Sequence, residues 1–284
     1  MTALRDASRI VARICGSVTG SVGLVLVAAV VGMALFAPFV ATHPPDAIDV
    51  LNRFAGPSAA NWLGTDHLGR DLFSRTVHGA TVAMAVALTS IAIALSLGTM
   101  LGILAAYLPA STERFILILF DVISSFPSLV LALAIVAVFG PSTGIVVAIV
   151  AITLVPHFGR VARAQTLTLK SAPFLEAEII LGASSARIVF RHILPNIFGP
   201  LIVLASMDIP VVITIEAGLS FLGLGVRPPL ASWGGLIQDG YQYLSESMVP
   251  VVVSSLVLAL ATLGFTLFGE ALRDAIDPRI RREH

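Results

Sequence analysis

Few residues in this chain could make or break bonds. Gly140-Pro141-Ser142-Thr143-Gly144 matches Gly-x-Ser-x-Gly, the turn that presents a nucleophilic serine, and His157 is a base that an intramembrane protease could use. Such an elbow needs a strand–turn–helix setting. Here the match lies in a short connection between two apolar runs, where Pro and Gly serve to reverse the chain. Asp121, Asp208 and Glu216 fall within or at the ends of apolar runs. An acid at the bilayer centre costs roughly 2.5–3.5 kcal/mol on insertion scales, so these three either line a polar path, relay protons or make buried structural hydrogen bonds, and Asp121, near the inner end of its run, can instead snorkel to the interface. The single lysine, Lys170, stands between Leu169 and Ser171. A Gly-Lys-Ser/Thr phosphate loop is therefore absent, and the chain cannot hold ATP in that way. His43, His67, His78, His157, His192 and His284 have no ligand spacing, and the single cysteine, Cys15, excludes both an intrachain disulfide and a cysteine metal cluster. No metal site is expected.

The elements that must carry these residues follow from composition. The chain has 284 residues, 57% hydrophobic and 12% charged. Soluble domains are about 45–50% apolar and about 25% charged. A soluble globular enzyme and a nucleic-acid binder are excluded, and the solvent is lipid. Basic and acidic residues balance at 17 each, so no global field selects a partner. Six runs are long enough to span, at about 18–40, 80–108, 115–139, 144–163, 197–221 and 248–270. The first follows Arg5, Arg9 and Arg13 but is longer than a signal-peptide core, so it reads as a retained signal anchor. With the N-terminus in the cytoplasm, thirteen of the 17 basic residues lie inside and four, Arg53, Arg70, Arg75 and Arg227, lie outside. The positive-inside rule then places both termini in the cytoplasm.

Three connections stand out. Residues 41–78 form an outside loop rich in Pro, Asp, Asn and Gly. Within it Asp66 and Asp71 can cap turns, and Asp71 with Arg75 forms an expected i,i+4 ion pair, as in a folded surface cap. The inside loop 164–196 is expected to hold two short helices. One, at about 173–181, starts at Pro173 with Glu176 and Glu178 early in it; the other, at 183–191, ends in Arg187, Arg191 and His192. Gly182 turns the chain between them, and Pro195 resets it before the fifth span. Phe174, Leu175, Ile179, Ile180 and Leu181 are too apolar for a loop in water. They pack on helix ends, lie at the lipid interface or dock on another protein. Residues 222–247 lie outside; in the stretch 216–244 Gly218, Gly223 and Gly225 permit a re-entrant turn, and Trp233, Tyr241 and Tyr243 suit the aromatic belt.

Four stretches resemble a known family in order. Glu176-Ala177, Gly182 and Leu194-Pro195 resemble the EAA loop of ABC importer permeases, with Glu178 where that loop carries a small residue. LGTDHLGRDLFSR, starting at Leu63, resembles the segment before the second span in the dipeptide, oligopeptide and nickel permease group. This chain has Gly79-Ala80-Thr81 where that group often has Gly-Ala-Arg. GLSFLGLG from Gly218, Pro228-Pro229 and Ser232-Trp233-Gly234 are similar to that group's signature, and the tail from Phe268 to Arg279 resembles its closing sequence.

The resemblance implies an all-α membrane fold, the type I ABC importer permease fold with six transmembrane helices. Residues 1–78 form an anchor helix plus extracytoplasmic loop, 79–272 the permease domain with a coupling loop at about 171–195, and 273–284 a cytoplasmic tail. It further implies coupling to ATPases through Glu176, Ala177, Gly182, Ala183, Arg187, His192, Leu194 and Pro195. Asp66, Arg70, Asp71 and Trp233 become candidate contacts for an extracytoplasmic binding protein, and Asp208, Glu216 and Asp121 candidates for the translocation path. The implied partners are a second homologous permease, two ATPase subunits carrying ATP and Mg, the binding protein and the lipid bilayer of a bacterial inner membrane. The implied cargo is short peptides, with nickel chelates, glutathione or other small solutes as alternatives. A proton-coupled carrier built on Asp208 and Glu216 is the rival from another class; it commonly shows paired repeats, and none is visible here.

Overall fold

The computed structural model describes residue 11 and residues 13–276, the side chain of Ile179 excepted. Among the described residues the chain is helical, with no strand beyond an isolated bridge between Thr65 and Asp71. The helices are α1 (Val18–Val40), α2 (Leu72–Tyr107), α3 (Ala110–Ser125), α4 (Ser128–Phe139), α5 (Thr143–Lys170), α6 (Pro173–Ile180), α7 (Ser185–Ile188), α8 (Leu194–Phe221), α9 (Trp233–Gln242) and α10 (Val249–Ile276). A 3₁₀ turn covers Val50–Asn52, and a π stretch, Val189–Ile193, joins α7 to α8.

Among the described residues five helical segments are long and apolar enough to cross a membrane: α1, α2, α5, the continuous run Ser185–Phe221, and α10. The expected third span, 115–139, is instead two helices, α3 and α4, bent by 88°. Pro127 is the cause. The residue before a proline is driven out of the helical region, and Phe126 sits at φ −87°, ψ 128°. The opposite error occurs at Pro195. The helix does not restart there but runs through it, because the π stretch widens the turn just where the proline lacks an N–H. α2 begins eight residues before the expected start, and α5 runs on to Lys170, so the inside loop is shorter than 164–196.

The chain divides into two compact units. The first comprises Met1–Thr89, Ala132–Val147 and Met207–His284. Its ends are tied together by α1 on α10. Close approach replaces large side chains at two points: a Cβ on Gly23 would stand 2.6 Å from Phe268 N, and one on Gly264 would stand 2.5 Å from Leu26 Cβ. Arg13 also donates to Ala275 O at 3.0 Å. The second unit comprises Ser90–Leu131 and Ala148–Ser206. There Gly98 and Gly102 of α2 meet Val155, Gly159 and Ala162 of α5, and the Phe120 ring covers Gly159. The basic residues Arg5, Arg9, Arg279, Arg281 and Arg282 and the closing Asp277-Pro278-Arg279 lie outside the described residues.

Candidate functional site

The inside segment is a short, defined structure. Pro173 opens α6, as expected of a residue with a preset φ. Gly182 follows α6 at φ +81°, a conformation that costs any residue with a Cβ about 1–2 kcal/mol. Nothing lies within 4 Å of where its Cβ would be, so the turn and not crowding calls for glycine. Ser184 then caps α7, its side chain accepting the Arg187 N–H at 3.3 Å. The two pieces are held together by His192 Nε2 facing Glu178 Oε1 at 3.6 Å and by the His192 and Phe174 rings at 6.3 Å. Glu178, the departure from the family pattern, therefore has an internal role. Leu175 and Ile193 are buried beneath the segment. Glu176, Ala177 and Arg187 are exposed, as are Ile180 and Leu181, at 84% and 82%. The loop thus shows two apolar side chains immediately before its tightest turn.

Residues 41–71 pack with α9 into a cap. The candidate binding-protein contacts Asp66, Arg70, Asp71 and Trp233 are all buried, none more than 6% exposed. They are the interior of the cap. Arg70 Nε donates to Asp66 Oδ2 at 2.7 Å, and its Nη2 reaches Asp239 at 3.4 Å. Arg75 turns to Asp66 at 3.4 Å and Asp239 at 3.9 Å, not to Asp71 as the spacing suggested. Asp71 is taken by Thr42 Oγ1 at 3.0 Å, Asn61 Nδ2 at 2.9 Å and the Ser74 N–H at 2.8 Å. Burial pushes its carboxyl up. The hydrogen bonds from Ser74, Asn61 and Thr42 outweigh that effect and leave it below its ordinary value.

Trp233 locks α9 down. Ser232 caps the helix by accepting the Gly235 N–H at 3.1 Å. The indole N–H donates to Thr76 O at 2.9 Å, and the ring fills the space left by Gly79, where a Cβ would stand 2.6 Å from it. Glu216 is fully buried near the end of α8, accepting from Ser220 Oγ at 2.7 Å. Asp208 is 8% exposed in the same helix, beyond the reach of bulk solvent. Asp121 is largely exposed and paired with Arg160 at 2.7 Å. Residues missed by sequence reasoning are Asp239, whose partners Arg70 and Arg75 lie far away in the chain, and Gly98, Gly102 and Gly159, whose small-residue spacing was the available signal.

The serine motif has a structural role. Ser142 Oγ accepts the Ile145 N–H at 3.3 Å at the start of α5, and His157 lies about four turns further along that helix. Among the described residues no group of three or more His, Cys, Asp or Glu side chains could hold a metal ion.

A family model described as a binding-protein-dependent transport system inner membrane component matches residues 98–282. Another, the N-terminal TM domain of oligopeptide transport permease C, matches residues 9–57. The dipeptide transport system permease protein DppC of Alkalihalophilus pseudofirmus is 38% identical over 92% of this chain and 86% of its own length. The probable D,D-dipeptide transport system permease protein DdpC of Escherichia coli is 36% identical over 96% and 92%. The glutathione transport system permease protein GsiD of Pectobacterium atrosepticum is 40% identical over 80% and 75%. Among solved structures, an inward-facing form of the MetNI methionine ABC transporter has a similar fold, with TM-score 0.58 over 72% of this chain and 97% of that one, at 16% identity.

Proposed function

The chain belongs to the family of binding-protein-dependent transport system inner membrane components, and from that membership we propose that it carries short peptides, di- and oligopeptides, inward across the membrane. It is a multi-pass inner-membrane permease of an ABC importer. In our reading it pairs with a second permease, both of its termini lie in the cytoplasm, and two ATPase subunits carry all the ATP and Mg. The permease itself makes and breaks no bonds. The observation that carries the coupling role is the exposed Ile180-Leu181 pair set immediately before the Gly182 turn. Two bulky apolar groups displayed at a defined turn suit insertion into a cleft on a protein partner.

The mechanism follows as differential binding. ATP closes the ATPase pair and favours one arrangement of the permease, while hydrolysis favours the other; the loop at 173–193 transmits the choice as a rigid element. Glutathione is the second cargo to test, since a relative named for it covers most of the chain.

The test is uptake of a labelled dipeptide, with co-purification of ATPases on the tagged chain. Gly182→Val, which cannot adopt φ +81° without strain, is expected to cut uptake at least tenfold and reduce ATPase recovery, with membrane insertion unchanged. Full uptake in that variant overturns the coupling role. Uptake that is absent in wild type for peptides yet present for glutathione moves the cargo assignment.

A further inference from the structure

A cavity of about 630 Å³ opens along the second unit, between α2 on one side and α7, the π stretch and the start of α8 on the other. Its wall is almost wholly apolar, built from Met100, Leu104, Leu108, Phe190 and Phe198 with few hydroxyls. These side chains are exposed, Phe190 at 72% and Phe198 at 54%, so the cavity is an open groove and not a sealed void. Two features identify what fills it. The first is length. The α2 wall runs from Leu95 to Tyr107, about 18 Å along the helix. One leaflet of hydrocarbon is about 15 Å deep, half of a core of about 30 Å. The second is charge at one end. Lys170 lies over the Tyr107 ring at 5.1 Å and gives one N–H to Ala106 O at 3.1 Å. Its ammonium carries three donors, and one is spent on Ala106 O.

We propose that this groove holds an anionic phospholipid, its acyl chain along α2 and its phosphate on Lys170. Basic pockets between spans on the cytoplasmic side suit such headgroups. The lipid belongs to the inner leaflet, which rests on the topology proposed above. A transmembrane helix of another subunit fits the groove less well. Helix–helix contacts in lipid use small residues, and the small residues of α2, Gly98 and Gly102, are already spent on α5. Because the far wall of the groove is the coupling segment itself, the lipid braces that segment from behind, and its exchange would alter how the segment moves.

Native mass spectrometry of the full chain, purified with its subunits and titrated with POPG or POPC, tests this. One basic contact is expected to make POPG bind about fivefold tighter than POPC. Lys170→Gln should erase that preference. Thr99 lines the groove about 12 Å from Tyr107, buried, its hydroxyl without a hydrogen-bond partner. Thr99→Phe should block the groove and abolish retention of the lipid, whereas Thr99→Val, close in volume, should retain it. Equal retention of POPG and POPC, or a preference that survives the charge substitution, overturns the proposal. So does an efficient disulfide between Met100→Cys and a neighbouring permease helix, which would put a protein in the groove. The readout is bound mass and not transport. If no ATPase co-purifies but the lipid pattern holds, the importer assembly is wrong and the lipid site stands.

Discussion

At the residue scale, the informative side chains are those that burial makes supports. Trp233 resembled an interfacial aromatic in the sequence, because nothing local reveals that Gly79, in another helix, leaves a slot for it. Trp233→Ala removes the ring and the bond to Thr76 O, and is expected to destabilise the cap by about 3–5 kcal/mol. The measure is thermal unfolding in detergent together with protease sensitivity of residues 41–71. Asp71 gives a pH dependence. Its carboxyl lies below the ordinary 3.8, so the folded cap binds the charged form. That contribution is whole above the ordinary value and is lost as pH falls through the lower, folded value. Acid should therefore make the cap protease-sensitive. In Asp71→Asn the cap should be weaker at neutral pH and should lose part of its acid sensitivity. An acid response identical to wild type would count against the assignment. The ion pair read from the spacing of Asp71 and Arg75 failed because Asp71 is taken by Thr42, Asn61 and Ser74 while Arg75 turns to Asp66 and to the distant Asp239, which no local pattern points to.

Local rules served well at the scale of elements, up to the point where prolines met tertiary structure. Long apolar runs identified α1, α5, α8 and α10 to within a few residues at most ends. Gly182 as a turn, Pro173 as a helix start and the two-piece inside loop were all readable, since each rests on backbone preferences that hold in any fold. Phe126-Pro127 was in plain view, yet the apolar run on both sides masked a right-angled bend. Pro195 was given a break that the π stretch removes. A docking role for the inside loop makes one demand on its surface. Replacing both Ile180 and Leu181 with Asp should leave the chain folded, since both are exposed, and should remove most ATPase recovery and uptake. Recovery within twofold of wild type would point the coupling role elsewhere on the loop.

Across the whole molecule, the distribution of basic residues carries a claim about sidedness that the fold alone does not contain. Leu51, 97% exposed on its 3₁₀ turn, and Ile180, on the inside loop, are suited to report it. In a Cys15→Ser background, Leu51→Cys should react with a membrane-impermeant maleimide in right-side-out vesicles. Ile180→Cys should react only after the vesicles are opened. The reverse pattern would invert the topology and with it the placing of every partner. Membership of the transporter family was legible in the sequence because its signatures sit at turns and close contacts, at Gly182, Gly79 and Trp233, where backbone geometry restricts the choice of residue.

The pairing of α1 with α10 has a consequence in time. The two helices meet through Gly23 and Gly264, contacts that neither can make with lipid. Roughly 210 residues separate the end of α1 from the start of α10, and at about 5–20 residues per second the ribosome needs roughly 10–40 s to deliver them. For that interval α1 waits in the bilayer with its mating face open, and the first unit closes only when the last described helix has been made. A ribosome stalled before Val249 leaves a product that is inserted but unfinished, with an unfilled helix face for quality control to detect.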